Sequence, residues 1–224
     1  MQSGDIVMKE LNINIRLLNQ SDLPSVALLH VAAFSDSALT KLGVEAVRRY
    51  YEWQLIGPHD VDALGAFYND RLVGFCFAGI FRGAMSGFLQ RNWLFLTGCV
   101  LIRPWLILNP VFRDRATLAI NILRRLLRQF IKRRRKTSHH SSEPSKSYGI
   151  LSIAVDPNYQ GLGIGKMLME YSEAIAREKG FLEMDLTVDP KNEKAIRFYE
   201  RLGWEKVLNE GKWTGQMRKR LEKG

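Results

Sequence analysis

The chain has 224 residues, 46% of them apolar, which is enough to bury the core of one domain with an elaboration. Its two cysteines, Cys76 and Cys99, lie in apolar runs without metal-ligand spacing; this excludes a disulfide scaffold and a cysteine-based metal site and predicts two buried free thiols. The net charge of +10 is nearly all local, because residues 113–136 hold ten Lys or Arg and one Asp, which leaves 23 basic and 22 acidic groups elsewhere.

The first third of the chain predicts a strand, two helices and a hairpin. A strand is expected at 14–18, followed by a helix that Ser21 and Asp22 cap and that ends at Ala33, with Pro24 in its first turn. A loop at 34–39 and a second helix over 40–55 come next. Strands at 63–68 and 72–80 are joined at Asn69-Asp70, a dipeptide typical of a tight hairpin turn.

Residues 83–147 differ in composition from the rest and are predicted to form a helical, basic insertion. Residues 93–112 are almost entirely apolar, apart from two breaks at proline. Residues 116–131 are amphipathic, with apolar side chains on one face opposite Arg124, Arg125 and Arg128. A run of five basic residues and a polar linker complete the insertion.

Three interpretations of this insertion stay open. Its apolar face packs on the domain or on a second copy of the chain. Alternatively, it lies in the surface of an anionic membrane, with the arginines on lipid head groups. Nucleic-acid binding is the third and is disfavoured, because no aromatic residues interleave the basic run. A transmembrane span is disfavoured as well, since the apolar run barely reaches the ~20 residues required and Arg103-Pro104 stands at its centre.

A strand, a glycine-rich turn and a helix follow one another from residue 150 onward. The strand at 150–155 ends at Asp156-Pro157, and the turn opens directly into a helix. The predicted apolar face of this helix carries Ile164, Met167, Leu168, Tyr171 and Ile175. Glycines let the backbone approach a ligand, and the unpaired N–H groups of a helix N-terminus favour an anion. The spacing fits neither a nucleotide P-loop nor a dinucleotide fingerprint, because Met167 follows Lys166 and the turn reads G-x-G-x-G.

Two motifs in this half of the chain match a known family of proteins. Gln160, Gly163 and Gly165 fit the pattern Q/R-x-x-G-x-G/A, and residues 153–157 precede them. Both resemble the pyrophosphate loop and the preceding strand of the GNAT N-acetyltransferase superfamily. A strand at 182–188 and a helix that begins near Asn192 and stops at Gly203 follow. In that helix the family's N-x-x-A-x-x-x-Y-x-x-x-G-F/W pattern is matched by Asn192, Ala195, Tyr199, Gly203 and Trp204.

Asn192 and Tyr199 lie two helical turns apart and are therefore expected to face the same side. Final strands are expected near 204–208 and 212–220. The order of elements is also that of the family, loosely over 12–82 and well over 148–220.

The resemblance implies a single GNAT-like domain over 1–224 with the insertion at 83–147, built on an α/β fold with a mixed, mostly antiparallel central sheet flanked by helices. It also implies an N-acetyltransferase that moves an acetyl group from acetyl-CoA, its cosubstrate, to an amine by direct attack, without a metal. Tyr199 would protonate the departing thiolate, and a backbone N–H would polarise the thioester carbonyl. The residues that the resemblance assigns to the cofactor are Ile153, Ala154, Val155, Gln160, Gly161, Leu162, Gly163, Ile164, Gly165, Lys166 and Asn192.

One departure from the family concerns the general base. Many relatives carry a glutamate two residues before the turn that follows the fifth strand, and here that position is Thr187. Asp185 has the same strand parity and is a substitute, and a water chain or the acceptor's own pKa are alternatives. The competing class is a non-catalytic acyl-CoA-binding or membrane-associated regulatory domain. The N-terminus lacks the pattern of a signal segment, which predicts a cytoplasmic location, with attachment to the inner face of a membrane as one interpretation of the insertion.

Overall fold

The structure is a computed structural model that describes residues 12–102 and 148–222. Its strands are β1 (Asn14–Leu17), β2 (Asp60–Tyr68), β3 (Arg71–Ile80), β4 (Tyr148–Val155), β5 (Glu183–Thr187), β6 (Glu205–Asn209) and β7 (Lys212–Arg220). Its helices are α1 (Leu23–Ala33), α2 (Ala38–Leu42), α3 (Val44–Ile56), α4 (Ala84–Arg91), α5 (Trp93–Ile102), α6 (Ile164–Glu178) and α7 (Glu193–Arg201).

In the described part of the chain, seven strands form one sheet in the order β1-β2-β3-β4-β5-β7-β6. Neighbouring strands are antiparallel, except that β4 and β5 run parallel because α6 crosses between them. Asn69 and Asp70 both take the positive φ that a tight hairpin turn requires, as their sequence predicts. The mixed, mostly antiparallel α/β sheet expected from the sequence is confirmed.

Helices cover both faces of the sheet. The α3 face is covered by α1 and α3, and there Tyr51 packs against Phe75 and Phe77 of β3. The α6 face, on the opposite side, is covered by α6 and α7, and there Leu168 packs in one core with Cys76. Successive residues of β3 enter opposite cores because side chains alternate along a strand.

The helix expected over 40–55 is two helices. Gly43 separates α2 from α3 with a φ of 102°, a conformation that residues with a Cβ rarely adopt. The loop expected at 34–39 is also shorter than predicted, because the hydroxyl of Ser37 accepts a hydrogen bond from the N–H of Thr40 and starts α2 at Ala38.

Two other local predictions are wrong. Ser21 lies within a short 3-10 turn that Asn19 caps, and Asp22, although it is the N-cap residue of α1, makes no side-chain capping hydrogen bond. Pro24 stands in the first turn of α1, as expected. Tyr171 is 49% exposed rather than on the apolar face of α6. Ser172 is buried there instead, because its hydroxyl donates to the carbonyl of Leu168 and so needs no water.

The helices α4 and α5 form the beginning of the segment predicted as an insertion. The remainder, including the amphipathic stretch 116–131 and its arginines, lies outside the described residues. In α5, Trp93, Leu94, Leu101 and Ile102 are 59 to 75% exposed. Cys76 is buried as expected, whereas Cys99 is only partly covered. None of the helices in the described stretches combines the length and apolar character that crossing a bilayer requires.

Candidate active site

A gap opens between β4 and β5 in the middle of the sheet. Residues 148–150 of β4 pair with 184–186 of β5, but residues 151–155 pair only with β3 among the residues that the structure describes. β5 pairs with β7 along its whole length, and just beyond β5 the N–H of Val188 donates to the carbonyl of Gly215. The far half of β4 therefore presents an open strand edge to the gap, which we call the β4–β5 gap.

The hydrogen-bonding direction along β4 shows which peptide groups face this gap. The N–H of Asp156 donates to the carbonyl of Val73 on β3, at 2.9 Å. Because N–H and C=O groups alternate in direction along a strand, Ala154 also turns its peptide groups toward β3, whereas Ile153 and Val155 turn theirs into the gap. Of the three strand residues assigned to the cofactor, two can offer backbone hydrogen bonds there.

A bulge at Leu151 changes which side chains reach each face. Ser152 is opposite Phe77 and Ile150 is opposite Ala78, so Leu151 is the extra residue. Before the bulge the side chains of Tyr148 and Ile150 enter the α6-face core; after it, Ile153 and Val155 do. The bulge therefore turns Ser152 toward the α3 face, at the start of the gap.

The glycine turn leads from the gap into the N-terminus of α6. Gly161 and Gly163 have φ values of 83° and 77°, which a residue with a Cβ would adopt only at a cost of about 1–2 kcal/mol. Gly163 is the N-cap residue, and it has no side chain that could cap the helix. Its first N–H groups, among them those of Ile164 and Gly165, therefore remain available to an anion.

Side-chain contacts brace the two ends of this turn. The buried carboxylate of Asp156 accepts from Arg71 Nη2 at 2.9 Å and from the N–H of Asn158 at 2.9 Å. At the other end, a Cβ on Gly165 would lie 3.3 Å from Phe198 Cζ of α7, so this position permits close packing of the two helices. The turn is thus held by β3 on one side and α7 on the other.

Two polar side chains of the turn lie on the surface and contact other residues. Gln160 donates from Nε2 to the carbonyl of Val155 at 3.4 Å and accepts from Lys194 Nζ at 2.9 Å. Lys166 is within 3.7 Å of Glu170, an exposed pair one turn along α6. Leu162, which lies between Gln160 and Lys166 in the sequence, packs against the α6-face core and anchors the turn.

Asn192 and Tyr199, the two predicted site residues near α7, have different surroundings. Asn192 is the exposed N-cap residue, and its Oδ1 accepts from the N–H of Ala195 at 3.0 Å. Tyr199 is only 8% exposed and packs beside Phe198 and Trp204. Burial raises the pKa of Tyr199, so its hydroxyl stays protonated at neutral pH. Within the described part of the chain, that hydroxyl has no hydrogen-bond partner.

A chain of polar side chains, not found by the sequence analysis, crosses the α3 face beside the gap. Tyr51 Oη lies 2.8 Å from Ser152 Oγ and 2.9 Å from His30 Nδ1, and His30 Nε2 lies 3.3 Å from Ser37 Oγ. Burial lowers the pKa of His30 to about 4, so the imidazole is neutral at pH 7. The hydroxyl of Ser37 donates to Thr40 Oγ1, at 2.9 Å.

One assignment of protons satisfies every group of this chain. Since the hydroxyl of Ser37 donates onward, Ser37 Oγ accepts from His30 Nε2, which leaves His30 Nδ1 to accept from Tyr51. Tyr51 then accepts from Ser152, so Ser152 Oγ keeps its lone pairs for another donor. Tyr51 and Ser152 are 101 residues apart, so no local sequence pattern predicts their contact.

A carboxylate also lies on the α3 face beside the gap. Gly149 pairs with Asp185, and a Cβ on Gly149 would lie 3.1 Å from Asp185 Oδ1. Met184 and Leu186 enter the α6-face core, so alternation turns Asp185 to the α3 face. Thr187, at the end of β5, is exposed.

Comparison with known proteins relates one segment of the chain to a protein family. Residues 124–204 match the model of the acetyltransferase (GNAT) family. Over these residues the chain is similar to acetyltransferases of the GNAT family. The glycine turn, the start of α6 and the helix α7 all lie within the matched residues.

Short segments of the chain are also similar to curated acetyltransferases. A segment of 55 residues is 36% identical to mycothiol acetyltransferase of Propionibacterium freudenreichii subsp. shermanii. A segment of 55 residues is 38% identical to [ribosomal protein bS18]-alanine N-acetyltransferase of Salmonella typhimurium. An uncharacterized N-acetyltransferase of Methanocaldococcus jannaschii is 41% identical over 56 residues. Each match covers 25% of this chain and 18%, 37% and 25% of these relatives, respectively, which is well under two thirds of their length.

Solved structures of GNAT proteins share the fold over nearly the whole chain. The PaiA N-acetyltransferase of Thermoplasma acidophilum, solved in complex with coenzyme A, superposes with a TM-score of 0.55 at 16% identity, covering 94% of this chain and 99% of that one. YncA of Salmonella typhimurium, a putative acetyltransferase solved with acetyl-CoA, gives 0.52 at 16% identity, covering 95% of each chain. At these identities the similarity establishes the GNAT fold.

Proposed function

We propose that this protein is an N-acetyltransferase that transfers the acetyl group of acetyl-CoA to an amine by direct attack. The observation that carries the proposal is the β4–β5 gap, which opens beside a glycine turn and the uncapped N-terminus of α6. The gap offers backbone groups to an extended arm, and the helix N-terminus offers N–H groups to a diphosphate. Relatives solved with coenzyme A or acetyl-CoA support this choice of donor.

Acetyl-CoA would lie along the exposed edge of β4. The peptide groups of Ile153 and Val155 would pair with the amides of the pantetheine arm, and the turn from Gln160 to Lys166 would hold the diphosphate. Asn192 would use its amide nitrogen toward the cofactor, because its carbonyl oxygen already caps α7. Ala154 would make no backbone hydrogen bond to the cofactor, because its peptide groups pair with β3.

The chemistry requires one bond to form and one to break. The amine nitrogen attacks the thioester carbonyl carbon, and the C–S bond breaks as the C–N bond forms. An N–H of the β4 edge would stabilise the charge that develops on the carbonyl oxygen. The CoA sulfur leaves as a thiolate and takes the proton of the Tyr199 hydroxyl, while the amine releases one proton to a base or to solvent.

The acceptor would approach from the α3 face, because α6, α7 and the glycine turn occupy the other end of the donor site. Asp185 and Ser152 are the groups there that can accept a proton or a hydrogen bond from the amine. Asp185 would serve as the base in place of the glutamate that Thr187 replaces. The chemical class of the acceptor stays open.

The experiment that tests the proposal measures release of the CoA thiol from acetyl-CoA in the presence of a panel of peptide, sugar and small amines. One class of amine is expected to accelerate release and to gain one acetyl group by mass spectrometry. The second candidate function, a non-catalytic acyl-CoA-binding domain, is favoured by Thr187. It predicts acetyl-CoA binding without any amine-dependent release, and that result would contradict the proposed enzyme.

We further propose that residues 1–224 form one acyltransferase domain, with 83–147 as an insertion between β3 and β4, and that it acts in the cytoplasm. The exposed apolar residues of α5 favour contact with an anionic membrane surface or with a second copy. Co-sedimentation with anionic liposomes at two salt concentrations distinguishes membrane contact from contact with a second copy. Salt-sensitive pelleting that is lost in an Arg124→Glu, Arg125→Glu, Arg128→Glu variant supports the membrane, whereas a salt-indifferent dimer without pelleting contradicts it.

A further inference from the structure

The exposed side of α7 carries a basic stripe. Lys194, Arg197 and Arg201, at positions i, i+3 and i+7, are exposed and lie along one side of the helix, with the exposed Glu200 beside them. The stripe extends roughly 10 Å along the helix axis, because each residue advances it by about 1.5 Å. Three cations beside one carboxylate give this surface a net positive charge, which suits an anion.

The stripe adjoins the glycine turn. Lys194 Nζ donates to Oε1 of Gln160, the first residue of the turn, at 2.9 Å. One turn further along α7, Phe198 lies against Gly165. The stripe therefore begins at the turn proposed to hold the diphosphate and runs away from it.

The carboxylates near the stripe are already paired. Glu193 accepts from Arg197 at 3.1 Å, and Glu200 lies 2.9 Å from Lys206. Neither Lys194 nor Arg201 is paired with a carboxylate in the described parts of the chain. Two cations of the stripe are thus left without a carboxylate partner, and one of them, Lys194, lies at the edge of the proposed donor site.

We propose that this stripe binds the 3′-phosphate of the CoA ribose, with Lys194 as its principal contact. The inference rests on the proposed function, because it assumes that coenzyme A occupies the turn. Coenzyme A carries two separate anionic groups, a diphosphate and a phosphate monoester. The N-terminus of α6 provides for one of them, and the stripe, displaced along α7, provides for the other. The monoester carries close to two negative charges at pH 7, which suits two unpaired cations.

The test compares calorimetric titrations of coenzyme A and 3′-dephospho-coenzyme A. The wild-type protein is expected to bind coenzyme A more tightly. Lys194→Ala should lower the affinity for coenzyme A by about tenfold, the usual effect of losing a hydrogen bond to a charged group. The same variant should bind dephospho-coenzyme A with an affinity within about twofold of the wild-type value. Lys194→Arg keeps the charge and should retain the preference. The matched control is Lys191→Ala, which removes an exposed lysine outside the stripe and should change neither affinity.

The outcomes separate this inference from the proposed function. If the wild-type protein binds neither compound, the proposed function fails and the inference fails with it. If both compounds bind and Lys194→Ala weakens them equally, Lys194 acts on the diphosphate or on Gln160, and the 3′-phosphate assignment is overturned. Equal wild-type affinity for the two compounds overturns it as well.

Discussion

Removing the hydroxyl of Tyr51 should destabilise the fold, because that hydroxyl joins the polar chain on the α3 face. Tyr51 is fully buried, and its Oη contacts Ser152 Oγ and His30 Nδ1. In Tyr51→Phe the buried His30 Nδ1 loses its partner, at a cost of about 1–3 kcal/mol, and the bond to the partly exposed Ser152 adds about 0.5–1.5 kcal/mol. We expect a total loss of about 2–4 kcal/mol, which corresponds to a Tm lower by about 5–15 °C for a chain of this size.

The assay is denaturant unfolding with a matched control on the preceding residue. Tyr50 is also buried, but its hydroxyl makes no hydrogen bond within the described residues, so Tyr50→Phe should change stability by less than about 0.5 kcal/mol. The Tyr51 variant should shift the denaturation midpoint at unchanged slope. If the two variants prove equally stable, the polar chain does not contribute as argued.

Two further predictions concern a titration and catalysis. Burial lowers the pKa of His30 to about 4, so the unfolded chain takes up a proton that the folded chain does not between pH 6.5 and 4. The free energy of unfolding should fall as pH drops through this window, by about 3 kcal/mol in all, and it should fall less steeply in His30→Gln. If stability falls equally steeply with pH in the wild-type protein and the variant, His30 is not the group that titrates. Tyr199→Phe should lower kcat by ~10²–10⁴-fold with little change in acetyl-CoA affinity, and wild-type turnover would make Tyr199 a core residue only.

The parts of the fold that the sequence predicts are those with local signals. The turn at Asn69-Asp70, the glycine turn and the cap at Asn192 each follow from a few neighbouring residues whose backbone conformation they restrict. Gly43 was missed because the helical periodicity continues on both sides of it. Tyr171 was misplaced because an apolar pattern does not register a buried serine such as Ser172, which hydrogen-bonds within its own helix.

The missing parts of the site depend on contacts between distant segments. The bulge at Leu151 is a property of the β3–β4 register, and it alone turns Ser152 to the α3 face, where Tyr51 lies. The pairing of Arg71 with Asp156 joins a hairpin to the glycine turn across 85 residues. No spacing rule within one segment could predict either contact.

Calorimetric titration of acetyl-CoA into the wild-type protein and a Gly163→Glu variant tests the donor site most directly. The substitution places a carboxylate where the diphosphate would lie, at a φ of 77°. Gly180→Glu is the matched control, because Gly180 has a φ of 80° at the other end of α6 and therefore brings similar strain and the same charge. The account predicts that Gly163→Glu abolishes binding while Gly180→Glu retains it. Equal affinity of the two variants for acetyl-CoA would contradict the account.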